Sequence, residues 1–98
     1  MLDDLTARVR DLVADKDPVG FDVKIDLAET GKIFAAAKES PIEVSNDDAG
    51  ADVTLRMSAV DLKSVLDGQL NVTTAFMFGK IQIDGDMSKA LSLTSLFS

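Results

Sequence analysis

Leu2, Leu5, Val9, Leu12 and Val13 recur at helical spacing near the start of the chain, with Asp3, Asp4, Arg8, Arg10 and Asp11 between them. The stripe predicts an amphipathic first helix whose early acids complement its dipole. Pro18 and Gly20 in "DKDPVG" break it. The period then changes to two. Phe21, Val23, Ile25 and Leu27 alternate with Asp22, Lys24 and Asp26, which predicts a strand with one dry and one wet face. "ETGK", with Gly31, predicts a hairpin into "KIFAAAKE", a weaker strand whose three alanines suit a helix equally well. Pro41 opens a short third strand, "PIEVS", with Ile42 and Val44 on one side. "NDDAGA" has the chemistry of a solvated hairpin turn. "DVTLRM" is a fourth strand, with Val53, Leu55 and Met57 on one face.

Helical spacing then returns. Ser58 followed by Asp61 is a capping-box variant, and Leu62, Val65 and Leu66 form a stripe that Gly68 stops. Asn71 caps a short helix through Phe78, closed by Gly79. Ile81 and Ile83 belong to a last strand. Gly85 turns it, Asp86 caps, and Met87 to Phe97 read as a final helix containing Ala90, Leu91, Leu93 and Leu96. Each clear strand is apolar on one face only. The economical arrangement is an α+β fold, a sheet covered on one side by helices, in a single domain over residues 1–98.

Composition narrows the function more than the fold. The 98 residues contain no His, Cys, Tyr or Trp, and phenylalanine supplies all five aromatic residues. Histidine bases, cysteine nucleophiles, Ser-His-Asp triads and nitrogen- or sulfur-ligated zinc are excluded within this chain. The net charge of −7 argues against nucleic acid and against electrostatic docking on anionic lipid. "MLDDLTARVRDL" lacks the apolar core of a signal peptide, no apolar run approaches the roughly 20 residues that span a bilayer, and "SLFS" is not a peroxisomal S-K-L address. A soluble, cytoplasmic protein is expected.

Polar candidates are weak. Asp47, Asp48 and Asp52 lie close in sequence, but the calcium-loop spacing and its terminal Glu are missing. Asp84-Gly85-Asp86 reads as turn plus helix cap, and Gly79-Lys80 lacks the first glycine of a phosphate loop. Nothing selects a catalytic pair among the carboxylates, so no enzyme activity and no cofactor is expected.

The apolar candidates are stronger. Phe76, Met77 and Phe78 are consecutive, and on a helix they point about 100° apart. One face cannot hold all three, so at least one meets a second apolar surface: another helix, a cavity or a partner. Composition alone favours a filled core.

The order of the pieces over residues 51–97 adds to this. "ADVTL" is followed by a helix, then "AFMFGK", a strand, "GDM", and an apolar helix ending "LF". This half resembles the sterol carrier protein 2 family of lipid-binding domains, and the N-terminal half agrees with it in pattern. The resemblance implies a five-stranded sheet with helices packed on one face around a hydrophobic tunnel. It implies non-enzymatic binding and intracellular carriage of a fatty acid, fatty acyl-CoA, sterol or phospholipid, with transient membrane contact. The matching motif positions are Ala75, Phe76 and Met77, with Met87 from "GDM". The dry sheet face and last helix add Val23, Ile25, Leu55, Met57, Leu91 and Phe97. Lys80, Lys89 and Arg56 are the cations that could meet a carboxylate at the tunnel mouth. Lipid identity varies across the family and does not carry over. The chain departs from the family in its acidity, in lacking a peroxisomal tail, and in "LNV" where Leu-x-Pro is common. The same apolar surface would also serve a protein-interaction or dimerisation module without lipid cargo, and the sequence leaves the oligomeric state open.

Overall fold

The computed structural model describes residues 2–93. The end of the predicted last helix, with Leu96 and Phe97, lies outside the described residues. Among the described residues, four helices and five strands run in the order α1 (Leu2–Val13), β1 (Val23–Asp26), β2 (Lys32–Ala36), β3 (Glu43–Ser45), β4 (Val53–Arg56), α2 (Ala59–Leu66), α3 (Val72–Met77), β5 (Gln82–Gly85) and α4 (Met87–Ser92). A single 3-10 turn at Ala28–Thr30 joins β1 to β2. The ambiguous "KIFAAAKE" segment is a strand because both its neighbours hold it in a ladder, β1 on one side and β3 on the other.

The spatial order is β3-β2-β1-β4-β5. Three pairings are antiparallel, while β1 and β4 run parallel, so the sheet is mixed. The register gathers the apolar positions onto one face. Val23 sits opposite Ala35 and Val53; Ile25 sits opposite Ile33 and Leu55; Leu55 sits opposite Ile83. Because side chains alternate along a strand, one in-register pairing aligns every dry position with its neighbour's. Leu5, Val9 and Val13 of α1 and Leu62 of α2 join these residues in one buried core.

The opposite face carries charge. Lys24, Asp26, Lys32, Arg56 and Asp84 lie on it, and Arg56 meets Asp84 at 3.2 Å and Asp26 at 4.0 Å. The β3–β4 connection also lies on this face, which corrects the expectation of a hairpin turn at "NDDAGA". β3 and β4 run in the same direction with β2 and β1 between them, so residues 46–52 must cross the sheet diagonally. The Asp48 carboxylate meets the Lys24 ammonium at 2.9 Å and the Lys32 ammonium at 3.9 Å. At the loop's end, the Asp22 N–H donates to the Asp52 carboxylate at 3.0 Å.

These contacts hold both acids ionised to lower pH. The Lys24 hydrogen bond leads for Asp48, and the Asp22 N–H leads for Asp52, with Lys89 and Lys38 adding to it. A carboxyl whose folded pKa lies below its unfolded value contributes stability above the unfolded value, about 3.9 for Asp, and loses it as pH falls through the folded pKa. Urea midpoints are therefore expected to hold steady down to about pH 5 and to fall below about pH 4. Asp52→Asn keeps an acceptor but no longer titrates, so its acid limb should be shallower, as a pH series of melts would show.

Candidate functional site

The helices that follow β4 are short and locally specified. The Ser58 hydroxyl accepts from the Asp61 N–H at 3.0 Å and starts α2. The Asn71 side-chain oxygen accepts from Thr73 N–H at 2.8 Å and Thr74 N–H at 3.3 Å and starts α3. One carboxylate oxygen of Asp86 accepts from Ser88 N–H at 2.8 Å and Lys89 N–H at 3.4 Å and starts α4. Each cap satisfies N–H groups that the first turn cannot bond internally.

α3 and α4 put small residues inward. Ala75 is fully buried and Ala90 nearly so, both in the core under the sheet. An alanine at the contact lets a helix axis approach closely and turns its larger neighbours outward. Met77 is 77% exposed and Phe78 76%, with Phe76 at 37%; on α4, Leu91 is 66% and Met87 48% exposed.

The ten residues picked from sequence therefore divide. Val23, Ile25, Leu55, Met57 and Ala75 lie in the buried core. Phe76, Met77, Met87 and Leu91 are exposed apolar side chains on the two helices that flank β5. Phe97 lies outside the described residues. The filled core that composition favours for Phe76, Met77 and Phe78 is not what forms: Phe78, the C-cap of α3, is exposed with the other two. Val60 of α2 is a further exposed apolar residue. Its signal was available: it falls off the Leu62–Val65–Leu66 stripe.

Of the three cations considered for a headgroup, two are engaged. Arg56 pairs across the charged face, and the Lys89 ammonium lies 3.9 Å from Asp52 and 5.8 Å from the centre of the Phe21 ring. Lys80 has no carboxylate partner among the described residues. Among those residues no group of acidic side chains is clustered to hold a metal ion, and no helix is long and apolar enough to cross a membrane.

A profile of the SCP-2 sterol transfer family matches residues 5–98, nearly the whole chain. The chain belongs to this family. Sterol carrier protein 2 of Gallus gallus is 41% identical over 51 residues, which is 52% of this chain and 9% of that protein. The matched segment is thus a small part of the curated relatives. Among solved structures, Sterol Carrier Protein 2 Like 2 of Aedes aegypti superposes with a TM-score of 0.79 at 20% identity, covering 96% of this chain and 94% of that one. Sterol Carrier Protein-2 of Aedes aegypti, determined in complex with the C16 fatty acid palmitate, superposes with a TM-score of 0.71 at 19% identity, covering 98% and 93%. Membership in the SCP-2 family bears out the resemblance read from "AFMFGK" and "GDM", and the shared fold bears out the five-stranded α+β architecture.

Proposed function

We propose that this chain binds a single hydrophobic ligand, a fatty acid or a lipid of similar chain length, and carries it in the cytoplasm without chemical change. The observation behind this reading is the set of large apolar side chains that α3 and α4 leave exposed in a member of this family: Phe76, Met77, Met87 and Leu91. In this reading the acyl chain enters as α3 and α4 move off the dry sheet face, so that their outward apolar side chains turn onto it and Ala75, Val23, Ile25, Leu55 and Met57 back it. Methionine suits such a wall because its unbranched thioether adapts to an irregular guest. A relative's complex with palmitate supports a single acyl chain as the guest.

The energetics allow it. About fifteen methylenes at about 0.8 kcal/mol each give a gross gain of about 12 kcal/mol. Association and ordering of the chain take back a large part, leaving micromolar or tighter binding without a strong polar clamp. With a net charge of −7, contact with a donor membrane is transient and made through apolar side chains rather than by charge attraction.

Native mass spectrometry of protein prepared without detergent tests the proposal, with organic extraction of whatever co-purifies. A lipid adduct, and displacement of a fluorescent fatty acid by palmitate, are expected. Absence of both would overturn it.

A further inference from the structure

The two edges of the sheet are finished differently. At the β3 edge, the Arg10 guanidinium of α1 reaches across and donates to the Val44 carbonyl at 3.0 Å. At the β5 edge, no described residue bonds to the outer side of Gln82–Gly85. The ladder decides which groups point out. The N–H groups of Val53 and Met57 donate to the Asp22 and Asp26 carbonyls, so odd positions of β4 turn their backbone groups toward β1. Thr54 and Arg56 therefore turn theirs toward β5, where their register partners are Asp84 and Gln82. The N–H and C=O of Ile83 face outward with no partner among the described residues, a template for another strand.

We propose that this edge pairs with β5 of a second copy of the chain, antiparallel about a two-fold axis at Ile83. Ile83 then exchanges both backbone hydrogen bonds with the partner's Ile83. On the charged face, Gln82 lies opposite the partner's Asp84, and Lys80 lies opposite the partner's Asp86. The charges fit: Lys80 is exposed and has no carboxylate partner among the described residues, and Asp86 is an exposed acid. Sliding the partner by two residues toward its C-terminus, which keeps the faces aligned, would instead set Asp84 against Asp84. An isologous interface of this kind closes on itself, so association stops at a dimer. The pairing uses backbone and charge at the sheet edge and stands independently of lipid binding.

The test uses lipid-free full chain in sedimentation equilibrium from about 10 μM to about 1 mM, the range in which a short edge pairing is expected to associate. Hydrogen exchange is followed over the same range. A concentration-dependent dimer is expected, with the Ile83 amide slowing as the dimer fills while Gln82 and Asp84 are protected throughout. Lys80→Glu, a change at an exposed position, should weaken association on the order of tenfold, because it sets like charges face to face. The chain has no cysteine, so Ile83→Cys provides a register probe. Hydrogen-bonded antiparallel partners lie about 5.5 Å apart at Cα, within disulfide reach, and oxidation should yield a covalent dimer that an Asp47→Cys control on the crossover loop does not. A monomer across the whole range overturns the proposal. So does a dimer whose Ile83 amide exchanges at a concentration-independent rate, or one that Lys80→Glu leaves unweakened.

Discussion

Gly85→Ala lowers the unfolding free energy by about 2–5 kcal/mol, the sum expected from a disallowed backbone conformation and a steric collision. Gly85 closes β5 with φ of +118°, in the region that side chains rarely adopt. Its register partner is Val53, and a Cβ there would run into the carbonyl oxygen of Asp52, with the Val53 Cα 3.2 Å away. Both obstacles are backbone, so relief requires moving β4 or β5. Two other glycines separate the causes. Gly79 has φ of +75° and open space around its Cβ position, so Gly79→Ala incurs only the conformational term, about 1–2 kcal/mol. Gly50 has neither constraint, and Gly50→Ala should stay within about 0.5 kcal/mol. Urea unfolding of the three variants reads the series directly. Equal effects at Gly85 and Gly79 would show that the approach of β5 to β4 is not tight.

Leu55→Ala should cost about 2–5 kcal/mol in the lipid-free protein, the range for deleting a buried leucine side chain. Leu55 is 1% exposed and lies between Ile25 and Ile83 on the dry face. Its neighbours belong to a sheet held on both sides, so the site cannot collapse easily. The proposed acyl site adds a second readout. If the guest lies against the dry face, the variant should also bind a fluorescent fatty acid more weakly. Met77→Ala makes the complementary case. At 77% exposure its removal should leave stability within about 0.5 kcal/mol while still weakening binding several-fold. Unfolding and fatty-acid titration on the same two proteins distinguish a residue that holds the sheet from one that holds only the ligand.

Local signals were legible in the sequence. Ser58, Asn71 and Asp86 each sit one residue before a helix whose first-turn N–H groups they accept, and each could be picked from residue type and offset alone. The alternation of Val23 and Ile25, and of Val53 and Leu55, announced which face each strand would bury. Alternation names faces and not neighbours, however. Nothing in "NDDAGA" distinguishes a hairpin from a crossing, and the tie that sets its path, Asp48 to Lys24 and Lys32, joins residues far apart in the chain. The candidate site was half legible for a similar reason. The cluster at Phe76–Phe78 is visible as composition, but its exposure follows from Ala75 taking the inward position of a six-residue helix. The motif order of one family, rather than periodicity, is what pointed to lipid.

The parallel pairing of β1 with β4 also sets a schedule for assembly. Val23 waits for Val53, thirty positions later, before the centre of the sheet is closed. During synthesis from the N-terminus, β1, β2 and β3 can form a meander early, yet β1 then presents an unpaired backbone edge beside an uncovered dry face. That edge is what other chains could capture until β4 arrives. Residues 46–52 must therefore make their diagonal crossing before the sheet is complete. If the Asp48 pairs with Lys24 and Lys32 form before β4 docks, Asp48→Asn should slow refolding by as much as it lowers stability, a φ-value near one in stopped-flow kinetics.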